Sequence, residues 1–153
     1  MKVKSVRLVT DLDTLHKVSE EVDLSNTNLV KSLESDLLDA YNKLDGKLQG
    51  LSAIQVDRPY RAILLRYVKG GTPIVVYNPK VISKLFSKKS NEGCMSEPEH
   101  RYIVRRPMLA LVEYYLSSGE KIKEWLPYAK ARIFCHEVDH CNGVLLQDKG
   151  KVI

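Results

Sequence analysis

Two histidines spaced four residues apart stand near the end of the sequence, in the stretch FCHEVDHCNG at residues 134–143. Side chains four residues apart share one face of an α-helix, so the imidazoles of His136 and His140 can bind one metal ion. Glu137 lies about 100° round such a helix from His136, where its carboxylate can accept a proton from a water that the ion activates. The pattern predicts a hydrolytic metal centre, and the alternative is a pair of surface histidines beside an ordinary glutamate.

A third ligand is needed, because a catalytic metal usually has three protein ligands and one open position. Zinc proteases with an extended motif place a third histidine six residues after the second, and this chain has Leu146 there. The third ligand must therefore come from upstream, where the candidates are Cys94, His16, His100 and the acidic residues of NEGCMSEPEH. Cys94 is favoured over His100, since a thiolate is a natural ligand beside two imidazoles and the preceding glycine lets the backbone approach closely.

Two helices are predicted. The first covers residues 25–44, with Ser25, Asn26 and Thr27 as candidate caps and Gly46 as a stop. Its apolar residues recur three or four apart, as expected for an amphipathic helix: Leu29, Val30, Leu33, Leu37, Leu38, Tyr41 and Leu44. The second helix covers residues 127–142, with Pro127 at its first position and Gly143 just beyond its end. It carries the two histidines, and Phe134, Val138 and Cys141 form its core face.

Between the helices lie β-branched and aromatic runs that predict strands. They are RAILLRYV, PIVVYNP, VISKLF, YIVRRPMLALVEYYL and KIKEWL, separated by turns such as KGGT, NPK and SSGE. Connections this short favour antiparallel pairing. The sequence thus predicts an α+β fold, with antiparallel strands packed around a C-terminal helix that bears HEVDH, behind an N-terminal amphipathic helix. A length of 153 residues suits one domain, residues 1–153.

Composition narrows the setting. The chain is 44% hydrophobic, and it contains no apolar run long enough to span a membrane and no signal-peptide pattern at its start, so a cytoplasmic location is expected. Its three cysteines favour thiol chemistry or metal binding over disulfides. The net charge is +5, and its scattered basic residues indicate a solvated surface, although an acidic partner such as RNA would also suit.

Three motifs in order carry a family resemblance. GLSAIQ at residues 50–55, NEGCMS at residues 91–96 and HEVDH at residues 136–140 resemble the motifs of the peptide deformylases in sequence and in separation. The resemblance implies that Cys94, His136 and His140 bind one divalent metal ion. In that family the ion is commonly Fe²⁺, with Zn²⁺ or Ni²⁺ as substitutes.

The same resemblance implies a reaction and its partners. It implies removal of the N-terminal formyl group from N-formylmethionyl peptides, with release of formate. Glu137 would move the proton from the water to the leaving amine, while the Gln55 side-chain amide and the backbone N–H of Met95 would hold the oxyanion. The expected partners are formylated N-termini of nascent polypeptides, with transient ribosome association. No membrane and no sequence-specific nucleic acid are expected.

Departures from the family pattern concern the substrate pocket. Gln49 stands where the family has an apolar residue, and Cys135 stands where it has a glutamine before the first ligand histidine. The sequence ends at Ile153, which implies a compact form without the C-terminal helix common in bacterial members. Glu92 and Asp139 are expected to support the site, Asp139 through a histidine N–H. The residues expected at the substrate are Gln49, Gly50, Leu51, Arg101, Arg132 and Ile133.

Two other functions fit parts of the sequence. An endopeptidase could use the same helix, but it would require a third histidine or a glutamate as ligand. A basic RNA-binding or ribosome-binding module could hold a structural metal, although such sites close all four positions, commonly with several cysteines. That module would leave Glu137 without a role.

Overall fold

The computed structural model describes residues 8–44 and 48–153, and it has the α+β architecture that the sequence predicts. The helices are α1 (Leu12–Leu15), α2 (Thr27–Lys43), α3 (Tyr128–Cys141) and α4 (Leu146–Lys149), with a short 3₁₀ helix at Ala53–Val56. The strands are β1 (Gly50–Ser52), β2 (Ala62–Leu65), β3 (Ile74–Cys94), β4 (Glu97–Tyr115), β5 (Lys121–Pro127) and β6 (Lys151–Val152).

The strands form one antiparallel sheet in the order β1-β2-β3-β4-β5, with β6 paired to β4. The predicted separation of PIVVYNP from VISKLF is wrong, because β3 begins at Ile74 and continues through both runs. Asn78 has a positive φ of 50°, and register shifts follow it in the pairing with β4. Its side chain bonds to the backbone of Val22, which holds the irregularity in place without ending the strand.

Helix α2 begins where its sequence supplies a cap. The Asn26 side chain accepts a hydrogen bond from the backbone N–H of Leu29 at 3.1 Å, satisfying a donor that the helix leaves unpaired. Leu33 and Leu37 are fully buried against the sheet, and each such burial contributes about 1.5–3 kcal/mol. The predicted stop at Gly46 lies outside the described residues. None of the described helices is long and apolar enough to cross a membrane.

Strand β2 is buried on both faces, because α2 and α3 cover opposite sides of the sheet. Ala62 and Leu64 pack in the α2 cluster, whereas Ile63 and Leu65 pack in the α3 cluster. This alternation follows from the two-residue period of a strand. It fixes α3 against the opposite face of the sheet from α2.

Helix α3 packs against the sheet, chiefly against β4 and β1 and also against β2, β3 and β5. Its predicted core residues Phe134, Val138 and Cys141 lie in one apolar cluster with strand residues. Cys141 is a free thiol there, so its interpretation as a small hydrophobic residue is confirmed. Pro127 was predicted as the first helical residue, but it ends β5 and directly precedes α3. Gly143 follows the helix end with a φ of +72°, a conformation that glycine adopts without steric cost.

Candidate metal centre

Three segments that are distant in sequence meet at the site. The first is β1 with the 3₁₀ helix that follows it, the second is the end of β3 at Cys94, and the third is the middle of α3. The ladder between β3 and β4 shifts register between Gly93 and Cys94. Such an irregularity turns a side chain away from the regular strand direction.

Cys94, His136 and His140 each present a ligand atom, and these three atoms lie within 4.8 Å of one another. The Cys94 Sγ lies 3.5 Å from the Nε2 of His140. The two imidazole rings are 5.2 Å apart at their centres. One thiolate and two neutral imidazoles form a donor set that suits a divalent transition metal and keeps a fourth position open for catalysis. The residues present therefore fit a metal ion.

The other histidines lie elsewhere and have carboxylate partners. The Nδ1 of His100 is 3.0 Å from the Oε1 of Glu97, and the Nε2 of His16 is 3.0 Å from the Oδ2 of Asp148. Both pairs are partly exposed. An endopeptidase-type site would need a histidine or glutamate as its third ligand, and the described cluster contains a cysteine instead.

A buried network of charged side chains contacts His136 at its Nδ1 atom. The Oε1 of Glu92 lies 3.0 Å from the Nδ1 of His136. Arg106 donates to both carboxylate oxygens of Glu92 at 2.9 to 3.2 Å, and to the Oδ2 of Asp139 at 2.6 Å. The expectation that Asp139 acts through a histidine N–H is wrong, because Asp139 contacts Arg106 and Lys149. Glu92 makes the histidine contact, since it is the strand residue that faces α3.

This network sets the protonation of its members. Burial acts to raise the pKa of Glu92, but hydrogen bonds with His136 and Arg106 lower it overall to about 2. Glu92 is therefore an anion that accepts the Nδ1–H of His136 and leaves the other ring nitrogen facing the cluster. Burial acts to lower the pKa of His136, but hydrogen bonds with Cys94 and Glu92 raise it overall to about 10, so its imidazole holds a proton that a bound metal ion would displace. Burial also lowers the pKa of His140, to about 3, which keeps that imidazole neutral.

Glu137 is a buried carboxylate held from two sides. The Ser52 hydroxyl lies 2.9 Å from its Oε1 and 3.0 Å from its backbone oxygen. Gly50 lies against the other carboxylate oxygen, and a Cβ at position 50 would stand 2.5 Å from Glu137 Oε2. Burial raises the pKa of Glu137 above its ordinary value, against the lowering influence of His136 and Ser52. A carboxylate whose pKa is raised toward neutrality is suited to exchanging protons.

Gln55 brings an amide to the cysteine. Its Oε1 accepts the backbone N–H of Ser52 at 3.0 Å, which fixes the orientation of the amide. Its Nε2 then lies 3.4 Å from Cys94 Sγ and 3.1 Å from Ser96 Oγ. Met95 stands between Cys94 and Ser96, and its side chain is partly exposed. The Gln55 amide is thus a fixed hydrogen-bond donor beside the cluster.

Residues 5–152 match the family model described as polypeptide deformylase. The chain belongs to the peptide deformylase family. The peptide deformylase of Finegoldia magna is 33% identical over 97% of this chain and 90% of that protein. The crystal structure of the peptide deformylase from Thermotoga maritima is 31% identical, with a TM-score of 0.82 over 97% of this chain and 98% of that chain. A Met-Ala-Ser bound class I type b peptide deformylase from Acinetobacter baumannii is 26% identical, with a TM-score of 0.83 over 97% of this chain and 99% of that chain.

A cavity of about 730 Å³ borders the cluster of this deformylase-family chain. Cys94, His136, Glu137, Gln55 and Met95 line it, so two of the three metal ligands and the groups expected to act on substrate face one space. The residues expected at the substrate that line it are Gln49, Gly50, Arg101, Arg132 and Ile133. Leu51 is the exception, because strand alternation turns its side chain into the core beneath α2, where it is fully buried.

The departures from the deformylase pattern have defined positions. The Gln49 side chain accepts a hydrogen bond from Arg132 Nη2 at 3.4 Å, so the two polar groups meet at the cavity. Cys135 is buried among the apolar residues between α3 and the sheet. Burial raises the pKa of its thiol to about 11, so it stays protonated and behaves as a small core residue.

Sequence reasoning missed two residues of the site, Ser52 and Arg106. Tyr102, Val104 and Arg106 stand two residues apart along β4, so they share one face of the strand, and this face is buried. A charged residue at an inward position needs a buried partner, so this alternation was a usable signal. Ser52 carries no comparable signal, because its contact with Glu137 joins residues far apart in sequence.

Proposed function

We propose that this chain removes the N-terminal formyl group from N-formylmethionyl peptides by hydrolysis and releases formate. One observation carries the proposal. Cys94, His136 and His140 bring their ligand atoms together, and two of them, Cys94 and His136, line one cavity with Glu137 and Gln55 in a chain of the deformylase family. The proposed substrate is the formylated N-terminus of a nascent polypeptide.

Cys94, His136 and His140 would hold the metal ion, and Fe²⁺ is the proposed native ion with Zn²⁺ or Ni²⁺ as substitutes. When bound, the ion would polarise the formyl oxygen and lower the pKa of a water toward about 7. Glu92 supports this assignment, because it occupies the Nδ1 of His136 and so directs the other nitrogen to the cluster.

Glu137 is the proposed proton carrier. It would accept the proton of the attacking water and pass it to the nitrogen of the leaving amine. The Ser52 hydroxyl holds one carboxylate oxygen, while the other lies against the backbone of Gly50 at the cavity. The raised pKa of Glu137 supports both halves of this exchange, since the group must bind and release the same proton.

Gln55 and Met95 are the proposed donors to the oxyanion. The Gln55 amide is already oriented by Ser52, and the backbone N–H of Met95 follows the ligand cysteine. A fixed donor of this kind contributes about 3–4 kcal/mol to transition-state stabilisation.

The peptide would lie in the cavity of about 730 Å³. The Met-Ala-Ser bound relative from Acinetobacter baumannii supports a peptide as occupant. The contacts proposed for the substrate come from Gln49, Gly50, Arg101, Arg132 and Ile133. We further infer that the chain acts as one catalytic domain in the cytoplasm, where Cys94 stays reduced, and that it meets nascent chains in transient association with the ribosome.

Formate release tests the proposal directly. Protein loaded with Fe²⁺ in the absence of oxygen is expected to release formate from formyl-Met-Ala-Ser. Cys94→Ala, His136→Ala and His140→Ala are each expected to lose bound metal and activity, because a site left with two ligands loses affinity steeply. His100→Ala is the matched control and is expected to keep both. Metal retained in Cys94→Ala but lost in His100→Ala would overturn the ligand assignment, and salt-dependent RNA binding without formate release would favour the RNA-binding alternative.

A further inference from the structure

Four cationic side chains line the cavity of about 730 Å³ beside the metal cluster. They are Arg66, Lys69, Arg101 and Arg132, and they come from three separate parts of the sequence. Arg66 is buried, Arg132 is half-buried, and Lys69 and Arg101 are exposed. Basic residues that are scattered along the chain are therefore gathered at one opening by the fold.

Arg66, which directly follows β2, and Arg132 on α3 both bond to uncharged oxygen atoms. Arg66 donates to the backbone oxygen of Leu48 at 3.0 Å, and to that of Val68 at 3.5 Å. Arg132 donates to the side-chain oxygen of Gln49 at 3.4 Å. Carbonyl and amide oxygens orient a guanidinium group without cancelling its charge.

The other two cations also keep their charge. Arg101 donates to the side-chain oxygen of Asn91 at 2.7 Å and to its backbone oxygen at 3.1 Å. Its guanidinium lies over Gly93, where a Cβ would stand 2.9 Å from Nη1. In the part of the chain that the structure describes, no carboxylate forms a salt bridge with Lys69 or with any of the three arginines.

Among the described residues that line this cavity, only Glu92 and Glu137 are acidic. Glu92 is neutralised by Arg106, which reaches it from the far side, and it also bonds to His136. Glu137 is buried, and its carboxylate is held by the Ser52 hydroxyl and packed against Gly50 rather than placed along the open part of the cavity. The cavity therefore has an excess of positive charge along its open part. A cleft lined by one sign of charge concentrates the field and attracts ligands of the opposite sign.

We propose that this cavity selects formylmethionyl peptides whose residues after the methionine are acidic. The proposal rests on the proposed deformylase function and adds a charge preference for the peptide beyond its first residue. Aspartate and glutamate side chains on the peptide would pair with Lys69, Arg101 and Arg132, whose charges face the opening without carboxylate partners. Lysine-rich peptides would be repelled by the same groups.

A peptide series of fixed length tests the preference. The substrates are formyl-Met-Ala followed by two aspartates, two asparagines or two lysines, and formate release gives kcat/KM for each. At about 0.01 M salt, where the Debye length is about 30 Å, kcat/KM is expected to be roughly three- to tenfold higher for the aspartate peptide than for the asparagine peptide. The lysine peptide should be the slowest. At about 1 M salt, where the Debye length is about 3 Å, the differences should nearly vanish.

Two variants assign the effect to this cavity. Lys69→Gln and Arg132→Gln are each expected to lower the aspartate-to-asparagine ratio by about two- to threefold. Lys123→Gln removes one positive charge from an exposed position on β5 that does not line the cavity, and it should leave the ratio unchanged. An equal fall of the ratio in all three variants would mean that net charge alone acts, and the proposal would fail.

The two proposals fail in different ways. If formate appears from all three peptides at the same rate, the charge preference is wrong and the deformylase function stands. If no peptide yields formate while the protein is loaded with metal, the proposed function itself is wrong. A faster reaction of the lysine peptide would reverse the sign of the inference and reject it.

Discussion

Replacement of Arg106 by methionine is expected to weaken both the fold and the metal site. The Arg106 side chain is 4% exposed, and it bridges Glu92, at 2% exposed, with Asp139, at 18%. Methionine fills a similar volume, but it leaves Glu92 with His136 alone and Asp139 with the partly exposed Lys149 alone as partners. Removal of one partner of a buried ion pair typically lowers the free energy of unfolding by about 3–5 kcal/mol. For a chain of this size that loss corresponds to a fall in Tm of roughly 6–20 °C.

The metal site should weaken through Glu92. Without Arg106 that carboxylate is no longer held against His136, and loss of such outer support typically costs about 10- to 100-fold in metal affinity. Urea unfolding of metal-free protein and a competition titration with Zn²⁺ measure the two effects separately. Arg106→Lys keeps the charge but loses the two-pronged contact, so it should fall between the wild type and Arg106→Met.

Arg105→Met is the matched control. Arg105 is the neighbouring residue on β4, but it is exposed, and among residues 8–44 and 48–153 its guanidinium bonds only to the Ser87 hydroxyl, at 3.1 Å. Its replacement should change the free energy of unfolding by less than about 0.5 kcal/mol. Equal losses of stability and metal affinity in Arg105→Met and Arg106→Met would refute the assigned role of the buried network.

Three further outcomes are expected. Glu137→Ala and Gln55→Ala should both retain metal, and kcat should fall about 100- to 10,000-fold in Glu137→Ala. A near-normal kcat of Glu137→Ala in the formate-release assay would exclude Glu137 as the proton carrier. Gly50→Ala should fold but lose most activity, because the added Cβ would stand 2.5 Å from Glu137 Oε2 and would displace that carboxylate. A wild-type kcat/KM in this variant would show that the carboxylate can move without loss of activity. Gln49→Ile should raise the preference for formyl-Met over formyl-Ala peptides, because apolar contact replaces the polar pair with Arg132 and contributes about 0.8 kcal/mol per buried methylene. An unchanged ratio of kcat/KM between the two peptides would exclude Gln49 as a determinant of the pocket.

The part of the site that lies on helix α3 could be predicted from the sequence. The spacing of His136 and His140 predicts a shared face, and the 3.6-residue period places Glu137 beside it. From the residues alone, Cys94 was favoured over His100 as the third ligand while other candidates stayed open, and the resemblance then implied Cys94. The strand that ends at Cys94 lies 42 positions before His136, and no local period links the two.

Local patterns also determined the two long helices, α2 and α3, and the type of sheet, whereas the short helices α1 and α4 were not predicted. Apolar residues three or four apart formed α2, and short turns gave antiparallel strands. The sequence predicts a strand end at residues 78–80, because Asn-Pro is typical of a turn. Two hydrogen bonds between Asn78 and the backbone of Val22 instead hold the strand continuous, and they join segments 56 residues apart.

The sequence by itself determined the helix that carries the histidines and the general chemistry of the site, because these depend on residue types at short, regular spacings. It determined the family through three motifs that stand in order along the chain. The tertiary structure alone decided that Arg106 supports Glu92, that Ser52 holds Glu137, and that dispersed cations meet at one cavity. These contacts depend on strand register and on how α3 crosses the sheet. Both are set by the packing of the whole core, and a local sequence pattern does not encode them.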